Sequence, residues 1–241
     1  VTTAILTECT DRTASVTQWR HFQRPRPELA GLDPVELLAR TAGLPGVLRY
    51  GTAGREVLLV GEVRAAPGAD IEAIIAELES RSQGDLAGRI EGVLAEEVVN
   101  TTLEETGLGW KRRETGWALP AGASLPREIH LTAEGDGLRV EAILVEWDEA
   151  GEAEVQAITH LLCRAQLGLR FARCRLQPGQ AAVVAHIDAQ HLGEALADAV
   201  GGVAAGTRLL AREVAALLEP GAARAFLDFL ATAKKLGLAR T

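Results

Sequence analysis

The chain has no methionine, one tyrosine, four tryptophans, four phenylalanines and three cysteines in 241 residues. With aromatics at 4%, any core must be built from Leu, Val, Ile and Ala. The cysteines Cys9, Cys163 and Cys174 are odd in number and form no close pair. That excludes a disulfide framework and fits a reducing, cytoplasmic setting. No apolar run approaches the roughly 18–20 residues of a membrane span. The first 30 residues lack the basic and apolar regions of a secretory signal. Lysine is scarce: three of the 25 basic residues are Lys and the rest Arg, a bias expected of GC-rich bacterial codons. With no Met anywhere, Val1 reads as an alternative start or a trimmed end. Asp and Glu number 33, giving a formal charge of −8 and a pI near 5.3. Phosphate backbones repel such a surface, which argues against a nucleic-acid reader. The one basic triplet, Lys111-Arg112-Arg113, runs straight into Glu114 and reads as a solvated strand end. What is present is enough apolar residue, 47% with a mean hydropathy of +0.08, to exclude a disordered chain.

Catalytic motifs are also missing. Ser124 sits in Gly122-Ala-Ser-Leu-Pro126, where a nucleophile elbow would need Gly in place of the proline. Gly51-Thr-Ala-Gly54-Arg55 lacks the Gly-Lys-Ser/Thr ending of a phosphate loop. Gly107-Leu-Gly109 leads into Trp110 and a strand, so it fails as a dinucleotide turn. His160, Cys163, Cys174 and His186 make a conceivable zinc set, but without the close ligand pairs of a structural site. Cys163 and Cys174 read better as small core residues. His186, Asp188 and His191 have no nucleophile nearby, and Asp188 is expected to cap a helix. Glu146, Asp148 and Glu149 surround Trp147, where acids at a helix start complement its dipole. The expectation is no catalytic residue, no metal and no cofactor.

Along the chain, residues 1–34 show no sustained period. Arg24-Pro25-Arg26-Pro27 cannot be helix interior. This stretch is expected to be a tail or arm, with Trp19 and Phe22 as anchors onto a neighbour. Residues 35–84 predict a small helix-strand-strand-helix segment. Asp33 caps its first helix, strands run over 47–50 and 56–64, and Asp70 caps the second helix. From Asp85 a longer helix is predicted to about Thr106, ended by Gly107. Three strands follow, at 110–119, 128–133 and 138–147. A helix capped by Asp148 comes next, then a hairpin at 169–176 and 181–187. A long helical region covers 190–218, where Gly201, Gly202 and Gly206 allow a kink or close packing. A last helix opens at Pro220, with Phe226, Phe229, Leu230 and Ala233 buried.

Four stretches stand out in residues 85–241: Thr106-Gly107-Leu108-Gly109-Trp110, Gly116-Trp117-Ala118-Leu119-Pro120, Leu144-Val145-Glu146-Trp147 and Leu169-Arg170-Phe171-Ala172. With their helix-β-β-β-helix-β-β-helix order, they make this region resemble the type III secretion chaperone-like fold, which includes the YbjN-type bacterial domains. The resemblance implies an α+β fold, an antiparallel sheet packed against helices. It also implies a non-enzymatic protein that binds a partner segment and pairs as a homodimer. About 84 residues precede this region, and the helix-strand-strand-helix segment 35–84 among them is a candidate degenerate half-repeat. Thr41-Ala-Gly43-Leu44 leading to Arg49 echoes Thr106-Gly107-Leu108 leading to Arg112. A real repeat would make the chain a pseudo-dimer within itself.

The resulting expectation is a cytoplasmic protein-binding module whose partner is a protein, a peptide or a second copy, with no nucleic acid and no membrane. Trp110, Trp117 and Trp147 all fall on strands of one sheet and form the candidate binding patch. The alternative for these three is that they fill the gap between sheet and helices. The alternative functions are a small-molecule-binding regulatory domain and, third, an enzyme using the Glu146/Asp148 or His186/His191 clusters.

Overall fold

A computed structural model describes residues 7–8, 18–44, 46, 48–66, 68–84, 96–121, 127–134 and 137–236. The fold is α+β, with two antiparallel sheets packed against helices. The first sheet contains β1 (Thr7–Glu8), β2 (Gln18–Pro25), β3 (Arg49–Ala53) and β4 (Glu56–Ala65), in the order β1-β2-β4-β3. The second contains β5 (Lys111–Arg113), β6 (Gly116–Leu119), β7 (Ile129–Glu134), β8 (Gly137–Glu146), β9 (Arg173–Gln177) and β10 (Gln180–Asp188). Their order is β5-β6-β7-β8-β10-β9. The helices are α1 (Pro34–Ala42), α2 (Ile71–Gly84), α3 (Glu96–Glu105), α4 (Glu152–Ala165), α5 (Leu192–Ala216) and α6 (Ala222–Lys235).

Local chemistry sets many of these boundaries. Asp33 accepts from the Val35 N–H at 2.7 Å and Pro34 opens α1, where a missing N–H costs nothing. Gly54 (φ +63°) turns the β3–β4 hairpin, and Gly107 (φ +66°) closes α3. The larger core lies between the second sheet and α5, α4 and α3. There Val140, Ala142 and Leu144 from β8 and Val183 and Ala185 from β10 meet Leu196, Val200 and Val203 of α5. A smaller core under α2 gathers Phe22, Leu44, Leu48, Leu59, Val63 and Ile75. In α5 the glycines serve close packing. A Cβ on Gly202 would stand 2.1 Å from the Arg170 carbonyl oxygen, and one on Gly206 would stand 2.9 Å from Leu169.

Several elements differ from the expectation. Residues 18–25 are not an arm: β2 is hydrogen-bonded to β4 along its whole length and Phe22 is buried. The stretch predicted as one strand over 110–119 is a tight hairpin, β5 and β6, reversed at Glu114-Thr115. Gly116 sits there at φ +146°, and a Cβ on it would lie 2.0 Å from the Leu131 carbonyl oxygen. The helix after β8 is capped at Gly151 and not at Asp148. Asp188 precedes a short 3-10 turn without making a side-chain cap bond. Phe229, expected inside, is 65% exposed. The predicted start of the long helix at Asp85, and Ser124, lie outside the described residues.

Candidate functional site

The three tryptophans do not form one open patch. Trp117 is 2% exposed and packs into the larger core opposite Leu131. Its indole Nε1 donates to Asn100 Oδ1 on α3 at 2.6 Å, and the Arg112 guanidinium lies 4.6 Å from its ring centroid. Trp110 is half-buried just before β5, at the sheet edge. Trp147 is half-buried just after β8, where its backbone N–H donates to Gly179 at 2.9 Å. Strands β6 and β7 lie between them. In a core this poor in aromatics, the indoles supply the bulk that aliphatic side chains do not.

The structure instead concentrates polar chemistry where the two sheets meet. Helix α1 packs against both β3 and β9, α4 packs against both β9 and β3, and α1 and α4 pack against each other. Arg49, the first residue of β3, is fully buried. Its Nε donates to the Gln166 carbonyl at 2.7 Å and its Nη2 to the Leu169 carbonyl. Arg173, the first residue of β9, donates from Nη1 to the Thr41 carbonyl at 3.0 Å and to the Leu44 carbonyl at 2.8 Å. Each arginine therefore fastens the helix-to-strand connection that precedes the other. A guanidinium suits this work, because its several N–H donors reach two carbonyls while the group stays charged, Arg49 through Nε and Nη2 and Arg173 through Nη1 alone.

Glu62 on β4 balances the buried charge of Arg49. Its carboxylate accepts from Arg49 Nη1 at 2.9 Å and Nη2 at 3.2 Å, and from the Phe171 backbone N–H at 3.2 Å. His21, directly opposite on β2, places Nδ1 3.0 Å from the same carboxylate. Burial pushes the Glu62 carboxyl up, but the His21 hydrogen bond and the Arg49 charge outweigh it and hold the group below its ordinary value. Phe171 takes φ +53°, rare for a residue with a side chain, and its ring meets Trp19 edge-on at 5.2 Å between centroids. Burial lowers the Arg173 pKa to about 10, with Arg175 and Arg49 adding to the shift and Glu134 opposing it, so the group stays charged at neutral pH.

The remaining candidates are engaged in structure. Burial raises the Cys163 thiol to about 12, and its Sγ donates to the Pro34 carbonyl at 3.3 Å. Burial raises the Cys174 thiol further still. A thiol so shifted is a poor nucleophile and a poor metal ligand at neutral pH. Cys174 faces the core opposite Val183, whereas His186 points to the other face of β10, 4.0 Å from Asp188. Burial also holds His160 below its ordinary value, Asp33 opposing and Lys234 reinforcing. Glu146, Asp148 and Glu149 are exposed. In the basic triplet, Arg112 pairs with Glu96, and Arg113 pairs with Glu128 at 2.9 Å.

Two surface features remain. A groove of about 290 Å³ between β2 and α2 is lined by Phe22, Ile71 and Ile75 with Gln23, Arg24, Asp70 and Glu72. Its polar side chains already have partners: Arg24 with Glu72 at 3.4 Å, Asp70 with the Ala73 N–H at 3.1 Å, and Gln23 with His21 at 3.4 Å. On α6, the inner face docks through Ala223, Phe226 and Leu227, and the helix packs on α4. The outer face presents Phe229 and Leu236, each 65% exposed. Among the described residues no helix is long and apolar enough to cross a membrane.

Sequence reasoning missed Arg49, Glu62, His21 and Arg173. The one available signal was Glu62, a charge inside the apolar run Val57–Val63 of β4; Arg49 and Arg173 open their strands and His21 lies in a polar one. No protein-family model matches this chain, and no curated protein matches it.

Proposed function

We propose that this chain is a non-enzymatic protein-binding module that contacts its partner through the outer face of α6. The observation that carries this reading is the pair Phe229 and Leu236. They lie two helical turns apart on one face, both mostly in solvent, while the rest of the helix has an apolar face docked on α4. Surface leucines and phenylalanines are unremarkable singly, but two on one helical stripe make a handle for an apolar partner surface. Arg224, Lys234 and Lys235 against Asp228 give α6 a local positive charge on an acidic chain. The complementary partner is an amphipathic segment whose apolar side chains are flanked by carboxylates. The groove beside β2 fits a small-molecule reading less well, because its polar lining groups are satisfied within the protein and leave nothing to orient a ligand.

The test is capture from a native lysate by immobilised full-length chain, compared among three variants. Phe229→Asp and Leu236→Asp should each abolish capture of the partner. Leu209→Asp alters another exposed apolar residue, 57% exposed on α5, and should leave capture intact. Capture that survives both α6 substitutions, or the absence of any captured partner, contradicts the reading.

A further inference from the structure

The chain contains the same unit twice. The first runs β2-α1-β3-β4-α2 and the second β8-α4-β9-β10-α5. In each, the hairpin's second strand pairs antiparallel with the strand before the helix, giving the orders β2-β4-β3 and β8-β10-β9. The correspondence reaches single atoms. Arg49 lies opposite Val60, and Arg173 lies opposite Val184. The residue after each arginine donates its backbone N–H to a buried side-chain oxygen at the end of its own unit's helix. Tyr50 donates to Thr41 Oγ1 at 3.0 Å, and Cys174 donates to Gln166 Oε1 at 2.9 Å. The backbone carbonyls of those two residues, and of Leu44 and Leu169 three positions further on, are the ones fastened by the other unit's arginine. The packing is reciprocal in the same way, α1 on β9 and α4 on β3, with α1 against α4 at the centre.

A contact set in which residue i of one body meets j of the other, while j meets i, is the mark of an isologous two-fold interface. We infer that this is a subunit interface folded into one polypeptide. The first unit occupies, in cis, the surface through which the second would otherwise pair with a second copy of itself. The occupant is therefore named: it is residues 18–84 of the same chain. The two arginines are the equivalent anchors of that interface. The inference is independent of the partner proposed for α6, since neither Phe229 nor Leu236 belongs to the clasp.

The experiment uses the full chain with a protease site inserted between Gly84 and Glu96, after the first unit and before α3. The folded protein is cut and followed by sedimentation. The two pieces should stay together as one particle of the uncut mass. Arg49→Lys keeps the charge but loses the planar fork, Arg173→Met removes the Nη1 that donates to both carbonyls, and each should weaken the association of the pieces by roughly tenfold or more. Arg175→Lys, on the same strand but paired with Glu141 inside the second unit, should change it by less than about twofold. Pieces that separate on cutting overturn the inference. So do pieces that hold equally well in both the Arg49 and the Arg173 variants.

Discussion

Arg49, Glu62 and His21 show how a buried charge is tolerated. An ionised group removed from water is costly unless its lone pairs and protons all find partners. Here the carboxylate receives two guanidinium bonds, a backbone N–H and the His21 ring. Removing one member leaves the others uncompensated, so Glu62→Gln should lower stability at neutral pH by about 3 kcal/mol. The sign with pH follows from the lowered pKa. An unfolded Glu62 titrates near its ordinary 4.5 and the folded one below it, so its stabilisation is complete above that value. It is lost as pH falls from there through the folded value. Urea unfolding of wild type and Glu62→Gln across this range should show the gap closing as pH drops. A gap that widens in acid would show that the carboxyl is buried protonated. None of this was legible beforehand, because alternation marks a strand by its apolar residues. In β2 the inward positions include a histidine, made acceptable only by a carboxylate from a strand 41 residues away.

The elements were legible where local chemistry decides them and illegible where a distant contact does. Asp33 and Pro34 announced α1, and Gly107 announced the end of α3. Strand β2, with basic residues, glutamines and a proline, carries no such signal; pairing with β4 makes it a strand. The β5–β6 hairpin was hidden because Gly116, the residue that permits it, is needed for its close approach to Leu131 and not for a familiar turn dipeptide. The glycines of α5 give a sharp test of close packing against mere flexibility. Gly201 and Gly202 are adjacent, but a Cβ on Gly201 meets nothing within 4 Å while one on Gly202 meets the Arg170 carbonyl. Gly201→Ala should therefore raise stability by about 0.5–1 kcal/mol through helix propensity. Gly202→Ala should lower it by about 2 kcal/mol through overpacking. Chemical denaturation midpoints moving in opposite directions would verify the assignment. Two midpoints moving the same way would contradict it.

At the level of the whole molecule, the α+β class and the helix-hairpin-helix order of both units were readable from hydrophobic period and turn residues. Their pairing was not. The echo between residues 41–49 and 106–112 lies in a different segment from the reciprocal bonds, which relate Thr41, Leu44 and Arg49 to Gln166, Leu169 and Arg173. Thr and Gln share no obvious likeness. They correspond because both end a helix with a side-chain oxygen that holds the next strand's N–H. A self-pairing surface already filled from within leaves the chain nothing to offer a second copy at that face. The most direct measurement is therefore the mass in solution by light scattering, from micromolar upward, for wild type and for Phe229→Asp, which removes the exposed α6 face as a route to association. The predicted result is 25.5 kDa for Phe229→Asp at every concentration. A particle of twice that mass that persists in Phe229→Asp would contradict the internal pairing.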